Sequence, residues 1–192
     1  MPNVNHPGYL TLWYTNIVIL QRIGLFVGYK LIWFVGIAGA SSLGAFIGPI
    51  LGVTYIIWHI IQTTSRWNVI RYILLILTIG IIMERGVLMT MVYTPLYPAP
   101  ISNPWIPLWL VAIWGSFPCV CLNALRSLFK SPPLAILTGA IAGPMAYLGA
   151  EQLGAIQLIT PITSLVILSG CWAVIMWLIS RTLPPLNPPI LK

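Results

Sequence analysis

The sequence has no aspartate, only two glutamates (Glu84 and Glu151), two histidines (His6 and His59) and three cysteines in 192 residues. Each shortage closes off a chemistry. Without Asp there is no aspartate dyad and no Asp-rich site for a metal or a diphosphate. Two histidines cannot supply the ligand clusters of histidine-bound di-iron desaturases or hydroxylases. No HExxH, CxxC, GxGxxG or GxxxxGK[ST] string occurs, so the usual zinc, dithiol, dinucleotide and P-loop scaffolds are missing. Cys119 and Cys121 stand two apart in an apolar run and would point to nearly opposite faces of a helix. With Cys171 they read as small packing residues. No metal or cofactor site is evident.

Charge is scarce as well. Only 6% of residues are charged and 59% are hydrophobic, where a soluble domain carries roughly 25% charged residues. So few charges cannot cover a water-facing surface, and the mean hydropathy of +0.96 makes a bilayer the expected solvent. The nine cations outnumber the acids and give a net charge of +7. They are scattered singly between apolar runs, with no basic stripe, so nucleic acid is not an expected partner. Membrane lipids are.

Six apolar runs have about the 20-residue length of a membrane span: 23–42, 44–62, 70–92, 105–128, 133–150 and 157–180. Irregular backbone is costly in lipid, so each is expected to be a helix. The expected fold is an all-α polytopic membrane bundle of about six transmembrane helices. Seven of the nine cations (Arg22, Arg66, Arg71, Arg126, Lys130, Arg181 and Lys192) fall in alternate connections or at the ends. The other three connections have none, so the positive-inside rule predicts that both termini are cytoplasmic. Tyr93, Tyr97, Trp105 and Trp109 would form an outer aromatic belt, and Trp58, Trp67, Tyr72 and Trp177 an inner one. No cleavable signal peptide is expected, because the first residues lack a basic region. The division along the chain is then 1–22, a tail with an interfacial helix at 8–22; 23–180, the transmembrane domain; and 181–192, a Pro-rich cytoplasmic tail. A long tilted first helix is the competing reading of 8–22. Tyr93–Pro107 holds five prolines and is expected to be a stiff, extended outer link, a candidate lid or docking surface.

Three charges inside the runs are not explained by topology: Lys30, Glu84 and Arg85. Charges are expensive in lipid and mark candidate sites. Glu84 and Arg85, about 100° apart on a helix, call for separate partners. Lys30 is a candidate for Glu84, though their depths differ by roughly 10 Å, and Glu151 is one for Arg85. An ion-pair latch competes with a substrate or proton site, and Lys30 could instead snorkel to the interface. In the fifth run Gly139, Gly143, Tyr147 and Glu151 recur every fourth residue and share a face, and Pro144 frees a carbonyl near Ala140. Such a face suits close helix packing or a polar pocket. Gly44, Gly48 and Gly52 repeat the spacing in the second run, with Pro49. GAFIGP (44–49) and GAIAGP (139–144) lie on helices of opposite direction, as an inverted three-plus-three repeat would leave them, although the flanking residues do not align at one offset. His59 is either a hydrogen-bonded packing residue or an axial ligand to a haem or chlorophyll.

LIWFVGIAGA in the first run, the late histidine of the second, the acid of the third, NPWIPLWLVAIWGSF leading into the fourth and GPMAYLGAEQLGA in the fifth occur in one order. Over residues 24–180 this resembles the bacterial inner-membrane family catalogued as domain of unknown function 2878. Its most specific element here runs from Gly143 to Ala155. The resemblance implies a multi-pass protein of the bacterial inner membrane and no established activity. It also implies an acid in the third span that is usually Asp; Glu84 followed by Arg85 departs from that pattern. Family members are often encoded near genes similar to cyclopropane-fatty-acid synthases, which implies a link to membrane lipid.

Three functions compete. The paucity of ionisable groups and the small-residue faces favour a non-catalytic accessory or scaffold subunit that binds lipid or a hydrophobic cofactor and docks a membrane-complex partner. A small transporter or flippase would use a midplane site at Glu84 and Lys30. An enzyme or helper in lipid modification would use Glu84, Glu151 and Tyr147 as acid–base groups, but no nucleophile–base pair is visible.

Overall fold

The computed structural model describes residues 7–41, 44–97 and 106–184. His6, the middle of the Pro-rich link with Trp105, and the tail from 185 to Lys192 lie outside the described residues. Six α-helices follow in order: α1 (Pro7–Ala38), α2 (Gly44–Gln62), α3 (Arg66–Met89), α4 (Leu108–Leu122), α5 (Pro132–Gln152) and α6 (Pro161–Thr182). A 3-10 turn, Leu128–Lys130, precedes α5. Stretches within α1, α2, α3, α5 and α6 are long and apolar enough to cross a bilayer, so the chain is a multi-pass membrane protein. The start of α3 and the α4–α5 connection gather Arg66, Arg71, Arg126 and Lys130 at one end of the bundle, the basic end.

Several expected boundaries move. α1 is one continuous helix of 32 residues, so 8–22 is not a separate interfacial helix. α4 is 15 residues long, about 22 Å at 1.5 Å per residue and short of a full crossing. Twelve of those residues are buried, and a helix apolar on every face belongs inside a bundle. α4 is accordingly the hub, packing on α1, α2 and α3. α6 begins at Pro161, later than the apolar run does, because proline suits the first helical turn. Pro132 opens α5 in the same way.

The residues between helices form a feature that composition hid. Tyr93–Pro95 (β1) pairs antiparallel with Ile156–Leu158 (β2), in the register Tyr93↔Leu158, Thr94↔Gln157 and Pro95↔Ile156. This ribbon closes the end of the bundle opposite the basic one. It occupies the start of the expected Pro-rich link and pins it to the α5–α6 connection.

The ribbon also shows an internal correspondence. α3 and α5 end in the same turn: Val92 N–H donates to Val87 O and Ala155 N–H to Ala150 O, around Met91 at φ 55° and Gly154 at φ 73°. Flanking the ribbon, Leu96 N–H donates to Ala155 O and Ile159 N–H to Val92 O. Eleven residues before each left-handed residue is a glycine against a tryptophan: Gly80 beneath Trp114 of α4, and Gly143 beneath Trp172 of α6. The α3–α4 and α5–α6 hairpins thus repeat one design and run in the same direction. Gly48 and Gly52 of α2, which share the four-residue spacing, serve other contacts, with Gly36 of α1 and with Ala112 of α4.

The two turns make opposite predictions. Methionine in the left-handed region carries a steric cost of about 1–2 kcal/mol, while Gly154 carries none. Met91→Gly is therefore expected to raise stability by up to about 1 kcal/mol, and Gly154→Ala to lower it by about 1 kcal/mol. Thermal unfolding in detergent micelles, followed by tryptophan fluorescence, reads both.

A buried carboxylate at the head of a lateral groove

Glu84 lies in the ribbon-side half of α3, on its buried face, and is 0% exposed. Three neutral donors surround its carboxylate. Tyr93 Oη donates to Oε2 at 2.6 Å, while Trp114 Nε1 (2.9 Å) and Tyr147 Oη (2.5 Å) donate to Oε1. These donors come from β1, α4 and α5, so one side chain ties three elements to α3. The candidate partner, Lys30, is not among them. Its Nζ lies over the rings of Phe26 and Trp33, 5.6 and 5.7 Å from their centroids, where a cation gains from the ring quadrupoles.

The repeated hairpins explain how the donors are aimed. Gly80 leaves room for the Trp114 ring and Gly143 for the Trp172 ring. The two indoles stack at 5.1 Å and 14°, joining the hairpins across the centre of the bundle. Tyr147, four residues after Gly143, then faces Glu84, four residues after Gly80. Tyr93 and Tyr147 pack ring to ring at 5.3 Å. A buried carboxylate must be hydrogen-bonded or paired to be tolerated, and this one is hydrogen-bonded throughout. The set also tolerates a proton, because a phenol can turn to accept where it had donated, while Trp114 Nε1 can only donate.

The carboxylate faces a cavity. A chamber of about 60 Å³ lies beneath the ribbon, lined by Glu84, Tyr93, Tyr147, Ile156 and a ring of aromatics that includes Trp33, Trp109, Trp114 and Trp172. It adjoins a larger cavity of about 280 Å³ that runs toward the basic end, past Lys30, Thr138, Gly139, Ala142 and Gly143 to Leu125 and Leu128. Tyr29, Trp33, Phe117, Ala146 and Trp172 line both. The groove exists because α1 and α5 do not pack against each other: α1 rests on α2 and α4, and α5 rests on α6. Side chains do cross the gap, since the tip of Trp33 lies 3.1 Å from where a Gly149 Cβ would stand. Phe26, Lys30 and Ala142 on the rim are exposed. Lining residues span Phe26 to Ile37 on α1, about 16 Å at 1.5 Å per residue. That is half of a ~30 Å hydrocarbon core, the depth of one leaflet.

The other candidates sit elsewhere. Arg85 is half-buried on the neighbouring face of α3. Glu151 Oε1 accepts the Leu158 N–H at 2.8 Å and so holds β2 onto the end of α5. The carbonyl that Pro144 frees, Ala140 O, accepts Ser169 Oγ at 2.7 Å; it ties α5 to α6, and Ala140 lines neither of these two cavities. Gly139 and Gly143 face Met176 and Trp172 of α6. Gly44 opens α2, and Pro49 lies within that helix. His59 is 0% exposed, its Nε2 3.5 Å from Asn123 Nδ2 and its Nδ1 without a hydrogen-bond partner. Among the described residues no three of His, Cys, Asp and Glu gather as a metal-holding group. Tyr93, Trp109, Trp114 and Trp172 were not singled out as site residues from the sequence. The spacing of Gly80 and Gly143 before Glu84 and Tyr147 was the available signal.

The model of the family described as Protein of unknown function (DUF2878) matches residues 22–178. The chain therefore belongs to that family. No curated protein and no solved structure matches it.

Proposed function

We propose that this DUF2878 protein binds a molecule with a long hydrophobic chain, of the membrane-lipid class, in the groove between α1 and α5, as a non-catalytic accessory protein in lipid handling. The observation that carries this reading is the lateral gap itself. It is largely apolar, with Lys30 and Thr138 as polar exceptions, open at its rim, one leaflet deep, and ends at a polar group. Membrane helices ordinarily close such gaps with small residues. Here the small residues Ala142 and Ala146 face the groove on α5, and α1 contributes large aromatics that line it. A chain lying there would cover Trp33, Phe117 and Trp172.

The reading extends to placement. The family resemblance favours a bacterial cytoplasmic membrane, and the cations favour an orientation with the basic end inside. The small-residue faces of α2 and α5 are already taken up within the chain, so docking to a membrane partner would use other surfaces.

Filling the groove tests the reading. Ala146→Phe introduces a ring where the two cavities meet and is expected to abolish retention of a co-purifying lipid. Native mass spectrometry of protein extracted in mild detergent reads this. The unfolding midpoint should stay near that of wild type, because Ala146 is only half-buried and faces the gap. Equal lipid retention by Ala146→Phe and wild type would remove the groove from the function.

A further inference from the structure

The chamber beneath the ribbon has a chemistry of its own. Trp109 is 5% exposed, lines the chamber, and its Nε1 donor has no hydrogen-bond partner. Trp172 Nε1, in the same wall, lies near the Tyr147 phenol but outside hydrogen-bond geometry. Trp114 Nε1 shows what a satisfied indole looks like here, bonded to Glu84 Oε1. A buried donor without an acceptor is costly, and an oxygen brought within reach recovers that cost. Indole N–H can only donate, so the missing partner is an acceptor atom.

The sign of charge can also be read. The carboxylate of Glu84 shares the chamber wall, and Lys30 lines the long cavity and not the chamber. An anion placed there would meet the Glu84 carboxylate with no cation among the described residues that line the chamber. Eight aromatic rings line the rest: Tyr29, Trp33, Tyr93, Trp109, Trp114, Phe117, Tyr147 and Trp172. At about 60 Å³ the chamber takes a small group and not a phospholipid headgroup. Resting on the groove reading above, we infer that the bound molecule ends in a small uncharged oxygen function, a hydroxyl or a carbonyl, seated beneath the ribbon against Trp109, with its chain descending the α1–α5 groove toward the basic end. A hydroxyl would accept from Trp109 and donate to Glu84; a carbonyl would accept only.

A chain-matched series of probes tests this on the full-length protein in nanodiscs. Dodecane, dodecanol, 2-dodecanone and dodecanoate are titrated into wild type and Trp109→Phe, which keeps a ring and removes the N–H. Wild type is expected to bind dodecanol or 2-dodecanone about tenfold more tightly than dodecane, the size of one hydrogen bond. It should bind dodecanoate no better than dodecane. In Trp109→Phe the ratio of dodecanol or 2-dodecanone affinity to dodecane affinity should fall to about threefold or less. Should the variant misfold, the 15N-indole resonance of Trp109 in wild type serves instead: it should shift with dodecanol and stay in place with dodecane. Equal affinity for all four probes, a preference for dodecanoate, or an indole resonance indifferent to dodecanol would overturn the assignment and leave the groove reading standing. Failure of every probe to bind would overturn both.

Discussion

Glu84→Ala is expected to be the most damaging single substitution in the protein, costing about 3–5 kcal/mol of stability. The change strips the acceptor from three buried donors, Tyr93 Oη, Trp114 Nε1 and Tyr147 Oη. An unsatisfied buried donor costs roughly 1–3 kcal/mol. The phenols can turn to other acceptors; the indole cannot. Glu84→Gln should cost less, because its amide oxygen keeps one acceptor while its NH2 opposes a donor. Tyr93→Phe should cost least, about 1 kcal/mol, since the carboxylate keeps two donors. Unfolding midpoints in one detergent give the order: Glu84→Ala lowest, then Glu84→Gln, then Tyr93→Phe. A Glu84→Ala midpoint within a degree of wild type would show that the carboxylate is not an organising centre.

The second large effect falls on the two glycines beneath the stacked indoles. A Cβ on Gly80 would lie 2.2 Å from the Trp114 ring, and one on Gly143 would lie 2.1 Å from the Trp172 ring. Neither indole is free to move: Trp114 is bonded to Glu84, and the two are stacked. Gly80→Ala and Gly143→Ala are each expected to cost about 2–3 kcal/mol through overpacking. In each case the Glu84 cluster should loosen with the ring. Gly86 and Gly170 provide the control. Both are helical with open space around the added Cβ, so alanine there should be neutral or stabilising by about 0.5–1 kcal/mol. Similar losses at all four positions would mean that helix propensity, and not the glycine–tryptophan contact, sets the cost.

The helices were legible because lipid leaves the chain few options: apolar runs of span length must be helical, and their scarce charges stand out. Glu84 was found by its expense in lipid, and Tyr147 by sharing a face with Gly139 and Gly143. Their meeting was not legible, because it depends on how α3 and α5 lie across α4. Nor was the identity of the partners. Sequence reasoning looked for a cation to balance Glu84, and Lys30 was the nearest available. The structure uses neutral donors instead, two of them aromatics that the sequence assigned to an interface belt or to an apolar lead-in. Three-residue strands, one in a Pro-rich link and one between α5 and α6, leave almost no periodicity to read, so the ribbon was invisible. Glu151, read as a candidate site carboxylate, accepts the Leu158 N–H and so clasps β2, a contact with no signal in the sequence. α4 shows a further limit: its apolar run is of span length, but the helix inside it is 15 residues, because Pro107 and the turn at Asn123 bound it.

The claim at the centre is that a chain-bearing molecule occupies the α1–α5 groove. Site-specific photocrosslinking in native membranes tests it most directly. A photoreactive amino acid replaces Trp33 in the groove, or Ile162, which is 82% exposed on the far face of α6, as a reference for bulk lipid contact. The groove position is predicted to yield one dominant adduct of constant mass that survives detergent washing, and position 162 a spread of ordinary membrane lipids. The same spread at both positions, or no adduct at position 33, would contradict it.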